Sequence, residues 1–184
     1  MRYSLVVLSL AALAACNKGP EINVKNASVG EVAEKVREAG SDGSFVDPGR
    51  WETKVSLLDI EVPGMPPQMA QQMKQTMGKL QDNTYATCLT DADVKKPKED
   101  FFAGKDNECR YDNFTMGGGK IDAVMHCGKG GAKQTMQMAG TYSPESYEMQ
   151  MSTKTESGGA EARGMAMRMR VEAHRIGECT GKEG

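Results

Sequence analysis

Aromatic residues are scarce in this chain: one Trp, five Tyr and four Phe make up 5% of its 184 residues. A core cannot rest on large rings here, so other apolar side chains must fill most of it. Histidine is rarer still, with only His126 and His174, and neither has a second imidazole or carboxylate at ligand spacing on the same short element. His126 adjoins Cys127, which invites a His/Cys metal site or an activated thiolate, but neighbours on a strand point to opposite faces. His174 falls in parity with Arg168, Arg170 and Glu172, the pattern of a solvated strand face. There is no block of like charge, 23 basic residues standing against 25 acidic, so no nucleic-acid partner is expected. The chain also lacks a Gly-x-Ser-x-Gly elbow, and Gly128-Lys129-Gly130-Gly131 has the glycines of a phosphate loop without its other residues or a following helix. No catalytic set stands out, no motif asks for a metal or cofactor, and a non-enzymatic protein is expected.

Long apolar runs are absent except at the start. Residues 5–15 follow Arg2 and are too few to remain as a membrane-spanning helix, so they read as a secretory signal. The run closes on Leu13-Ala14-Ala15-Cys16, which matches the bacterial lipobox, where the cysteine thiol is acylated and the chain is cut just before it. Acylated Cys16 would then be the bilayer anchor, each buried methylene contributing roughly 0.8 kcal/mol. Asn17 follows it, not the Asp of an inner-membrane retention signal. The expected place is therefore the periplasmic face of an outer membrane. Arg2 leaves with the leader, so 23 basic residues fall to 22. The remainder suffices for one domain and a tether: signal peptide at 1–15, tether with a short helix at 16–46, a single α+β domain at 47–179, and a tail at 180–184.

Cys88, Cys109, Cys127 and Cys179 form an even set in a compartment where disulfides persist. The favoured pairing joins Cys88 to Cys109 and Cys127 to Cys179, closures contributing roughly 3 and 4 kcal/mol in the chain-entropy model. The rival joins Cys109 to Cys127 across a hairpin, which a three-residue turn at Gly117-Gly118-Gly119 would set opposite one another.

What the chain has in abundance is methionine: 14 residues, all but Met1 beyond the leader. Met69, Met73 and Met77 recur every fourth residue, the spacing of one helix face, after Pro66-Pro67, which suit a helix's first turn. Met136 with Met138, Met149 with Met151, and Met165 with Met167 and Met169 recur every second residue, the spacing of one strand face. This reads as a Met-striped helix over about 67–80 on a Met-faced sheet. In that reading Met73, Met138, Met149, Met151 and Met167 are almost wholly buried, and truncating one costs roughly 2 to 5 kcal/mol. Thioethers also suit Cu(I), which makes a soft-metal protein the alternative.

The flanking pattern is consistent with this. Residues 17–25 show no periodicity and read as tether. Ser28 and Glu31 stand at capping-box spacing before a thin stripe of Val and Ala ending at Gly40, a short helix expected to dock loosely. Residues 41–44 read as a linker. Trp51, Thr53, Val55 and Leu57 alternate, then Leu58, Ile60 and Val62 continue in the other phase, the mark of a bulge. A second strand is expected at 84–89, a capped turn from Thr90 and Asp93, and Phe101-Phe102 tucked into the core. Strands at 108–116, 120–127, 132–142, 146–155 and 162–176 follow, joined by Gly-rich or Ser-Pro turns, including 157–159.

Pro48-Gly49-Arg50-Trp51-Glu52, Val62-Pro63-Gly64-Met65-Pro66, Thr87-Cys88-Leu89-Thr90 and Arg175-Ile176-Gly177-Glu178-Cys179, in that order, resemble the proteobacterial family known as domain of unknown function 3617, over about residues 47–179. The resemblance implies a secreted or lipid-anchored envelope protein and brings no activity, ligand or catalytic residue with it. The expected fold is α+β: a curved antiparallel β-meander of about six or seven strands, disulfide-stapled, with one amphipathic helix packed on it and a short N-terminal helix. The expected role is a binding or structural module of the cell envelope, for an apolar ligand or an envelope protein partner; an envelope enzyme is the other alternative.

Overall fold

The computed structural model describes residues 20–40, 45–81, 84–95, 108–129, 132–156 and 164–183. The leader, Cys16, the linker at 41–44, Phe101 and Phe102, and the turn at 157–159 lie outside them. Among the described residues the elements run β1 (Ile22–Ser28), α1 (Val29–Gly40), β2 (Gly49–Glu61), α2 (Pro67–Gln81), β3 (Thr84–Leu89), α3 (Asp91–Lys95), β4 (Cys109–Gly117), β5 (Lys120–Lys129), β6 (Ala132–Ser143), β7 (Ser146–Glu156) and β8 (Met165–Gly177). The strands form one open antiparallel sheet in the order β1-β4-β5-β6-β7-β8-β2-β3.

The meander is the expected one, but the sheet has eight strands. The additional one is β1, in a stretch read as tether. Its alternation is broken at Asn26, which takes a φ of 50°, so Ile22 and Ala27, both buried, do not share a phase. What orders it is its ladder with β4.

Helix α1 begins with the expected capping box: the Ser28 hydroxyl accepts from the Glu31 amide at 3.2 Å, and the Glu31 carboxylate accepts from the Ser28 amide at 2.6 Å. It is not loosely docked. Val32 and Ala33 are 0% exposed and cluster with Val36, Tyr111, Phe114 and Met125. Small side chains let the helix approach closely, and Tyr111 and Phe114, in edge-to-face contact at 5.5 Å, supply the bulk that α1 lacks.

The link from α1 to β2 passes the β6–β7 turn, where Phe45 meets Tyr142 edge-on and the Asp47 amide donates to the Pro144 carbonyl. Trp51 then lies buried against Tyr147, its indole donating to the Asp47 carbonyl at 3.0 Å. Helix α3 carries the Thr90–Asp93 box and touches both β3 and α1, so the sheet curves enough for one helix to connect its two ends.

The irregularity expected near Leu57-Leu58 is present: β2 shifts register against β8 between Leu57 and Asp59. A second bulge falls in β4, where Asp112 stands outside the pairing between Tyr111 and Asn113.

Both disulfides exist, with pairings that correct the favoured assignment: Cys88 bonds Cys179 and Cys109 bonds Cys127. Strand β3 is six places from β4 in the sheet, whereas Cys88 stands opposite Arg50 on β2, whose other neighbour is Gly177 at the end of β8, two residues before Cys179. Cys109 meets Cys127 by a route different from the one imagined. The turn is a two-residue one at Gly118 and Gly119, both at positive φ, which alone would set Cys109 opposite Gly128. The extra residue at Asp112 advances β4 by one and brings the cysteines face to face.

A candidate methionine-lined sheet face

Residues directly opposed in antiparallel strands share a face, so the register writes out the surface row by row. One row runs Phe114, Ala123, Met138, Met151, Met169, Leu57 across β4, β5, β6, β7, β8 and β2. The next runs Tyr111, Met125, Met136, Thr153, Met167, Ile60, and on the other side Gly140, Met149, Val171 and Val55 stand in line. At Gly140 the backbones pass so closely that a Cβ would sit 2.2 Å from the Glu148 carbonyl oxygen, an approach open only to glycine.

The rows are sealed at one end, while across β6, β7 and β8 only Thr153 of the residues in them is buried. Phe114, Tyr111, Ala123 and Met125 are at most 2% exposed, under α1. Met136, Met138, Met149, Met151, Met167 and Met169 are half-buried. This corrects the expectation that Met138, Met149, Met151 and Met167 lie almost wholly inside. Helix α1 packs on β1 and β4 and α2 on β2; among the described residues no helix makes its main contacts with β6, β7 or β8.

Helix α2 adds a further departure. Met73 and Met77 are half-buried and Met69 is 55% exposed. A cleft of about 600 Å³ separates α2 from β2, lined by Leu57, Asp59, Ile60, Ala70, Gln71, Lys74 and Gln75. Lys74 reaches to 3.9 Å from Asp59. The Arg168 guanidinium donates to Asp59 at 2.7 Å and, with the Ile60 amide, holds that carboxyl below its ordinary range.

The opposite face is solvated, and on it the register brings together a set that spacing along the chain does not reveal. His126 Nε2 lies 2.9 Å from Asp112 and Nδ1 3.0 Å from the Thr135 hydroxyl. Asp112 is the bulge residue of β4, and Thr135 is the direct neighbour of His126 on β6. With the carboxylate accepting from Nε2–H, Nδ1 is left to accept the hydroxyl proton. The surrounding amides belong to the ladder of β4, β5 and β6, so what the arrangement does is fix the ring's tautomer and orientation. His174 is exposed and lies opposite Glu52 and Ser146. Cys16, the expected lipid attachment, lies outside the described residues. A bulge and a cross-strand neighbour are products of register, and no signal along the chain could have found Asp112 and Thr135.

The model of a family described as "Protein of unknown function (DUF3617)" matches residues 46–179. No curated protein and no solved structure matches.

Proposed function

We infer the role of this chain from its surfaces, because it belongs to the DUF3617 family, whose description carries no activity. The proposed role is that of a non-enzymatic lipoprotein of the cell envelope, held to the outer membrane by acylated Cys16, which receives an apolar partner on its methionine-lined sheet face. The observation that carries this is the half-burial of Met136, Met138, Met149, Met151, Met167 and Met169 on contiguous strands. Met136 and Met138 border the cluster under α1, and Met149, Met151, Met167 and Met169 carry the same face beyond it. Unbranched thioether side chains re-pack around varied apolar shapes at little cost, which is the property such a surface uses. Two disulfides are consistent with an oxidising compartment.

Native mass spectrometry of the protein extracted gently from its own envelope tests both parts. The expected result is a diacylated or triacylated chain carrying an apolar molecule or an envelope protein, with Cys16→Ser abolishing acylation and membrane fractionation. A chain that retains copper alone, or fractionates unchanged after Cys16→Ser, overturns the reading.

A further inference from the structure

Where β1 begins limits where a lipid anchor can lie. Strand β1 runs antiparallel to β4 with Ile22 opposite Met116, so the chain enters the fold beside the β4–β5 turn. It is packed there up to residue 21: a Cβ at Gly117 would sit 2.9 Å from Glu21 Cγ and 3.1 Å from its Cα, a close approach suited to glycine. Five residues of chain then lead back from Glu21 to Cys16. Fully extended, that length reaches at most about 18 Å.

The sheet is longer than this reach. At the near end of β5 and β6 Lys120 stands opposite Thr141, and at the far end Lys129 stands opposite Ala132. Thr141 and Lys133 are eight residues apart on β6, about 27 Å along the strand. A bilayer touching the far end would leave Glu21 too high for Cys16 to reach it. Lying flat on the methionine face is opposed by α1, which packs over Tyr111, Phe114 and Met125 on that face. A helix is about 10 Å thick, so a flat surface meets α1 before it meets Met138 or Met151.

We propose that the domain stands on the bilayer by its β4–β5 turn, with β5 and β6 rising from the membrane and the β5–β6 end pointing away from it. The placement rests on Cys16 being the lipid attachment. Gly117, Gly118 and Gly119 carry no side chain to hold the turn off a headgroup layer. The methionine rows cross the strands, so their heights are graded: Gly140 and Met149 lie nearest the bilayer, Met138 and Met151 next, Met136 and Thr153 farthest. An apolar molecule leaving the bilayer meets Met149 first.

The test adds the full acylated protein to preformed vesicles of phosphatidylethanolamine and phosphatidylglycerol that contain a headgroup-labelled acceptor lipid. A donor dye is placed at Thr141→Cys or at Lys133→Cys, both exposed positions. Energy transfer from Thr141→Cys should exceed that from Lys133→Cys by about twofold or more, since the two differ by about 27 Å along the strand. Lys120→Cys and Glu156→Cys, exposed neighbours of those positions on β5 and β7, form a second pair, so that one folding failure does not decide the matter. Far-UV circular dichroism checks each variant. An acylated chain with equal transfer from both ends, or with more from the far end, overturns this placement alone. A chain without acyl groups, or a Cys16→Ser form that stays on the vesicles, overturns the lipoprotein reading and the placement with it.

Discussion

The β1-β4-β5 end of the sheet and its β6-β7-β8 centre follow the same alternation of apolar and polar residues, yet large apolar side chains are sealed only at the first; at the centre the buried residues are the small Thr153 and Ala173. At the end, Tyr111, Phe114 and Met125 meet Val32, Ala33 and Val36 of α1 and lose contact with water. At the centre, Met138, Met151 and Met169 stand in the same row as Phe114 and are only partly buried. Alternation thus says which face a side chain takes; whether that face is sealed depends on what crosses above it, and period alone does not carry that information.

The comparison breaks most severely if the sealed end is dispensable. Much of the buried cluster comes from Ile22, Ala27, Val32, Ala33 and Val36, which lie outside the matched residues 46–179. Deleting residues 22–40 should therefore abolish cooperative unfolding, followed by Trp51 fluorescence in urea. A sharp transition in the shortened chain would show that the sheet supports itself.

A finer contrast pairs two residues of one row. Phe114→Ala should cost about 3–5 kcal/mol, the loss of a wholly buried ring. Met151→Ala should cost about 1 kcal/mol, since a partly buried side chain forfeits less transfer energy and leaves no closed cavity. That is well below the roughly 2 to 5 kcal/mol appropriate to a buried methionine, and equal costs would put Met151 back in the core.

The smallest effect concerns the opposite end. Glu183 accepts from the Thr180 amide first, then from its own backbone amide, the Thr180 hydroxyl and the Gly181 amide, and its carboxyl is held down to about 2. Its folded value lies below the ordinary 4.5, so the stabilisation is complete above about 4.5 and is lost as pH falls towards 2. Thermal midpoints of wild type and Glu183→Gln should differ near neutrality and converge in acid; a constant gap would count against the tail turn as the source.

Much of this was legible in the chain. Ser28 with Glu31 and Thr90 with Asp93 announce their caps because a capping box is local chemistry. The slip at Leu57-Leu58 announces its bulge because apolar parity changes there. Strand β1 was not legible, since Asn26 breaks its phase and its order comes from β4, far along the chain. The disulfide pairing was only partly legible: the hairpin between Cys109 and Cys127 offered the observed bond as the rival, but choosing it needs the strand order, which sets β3 at the opposite end of the sheet from β4 and β5. The Asp112–His126–Thr135 set failed to show for the same kind of reason: its members meet only once β4, β5 and β6 are in register.

The single extra residue in β4 ties the Cys109–Cys127 bond to one register. A β4–β5 hairpin that forms without the bulge at Asp112 closes the same glycine turn and makes a plausible ladder, but it sets Cys109 across from Gly128 and turns Cys127 to the other face. Such a hairpin cannot be oxidised between these two thiols. The bond is therefore compatible with the bulged register and not with the unbulged one.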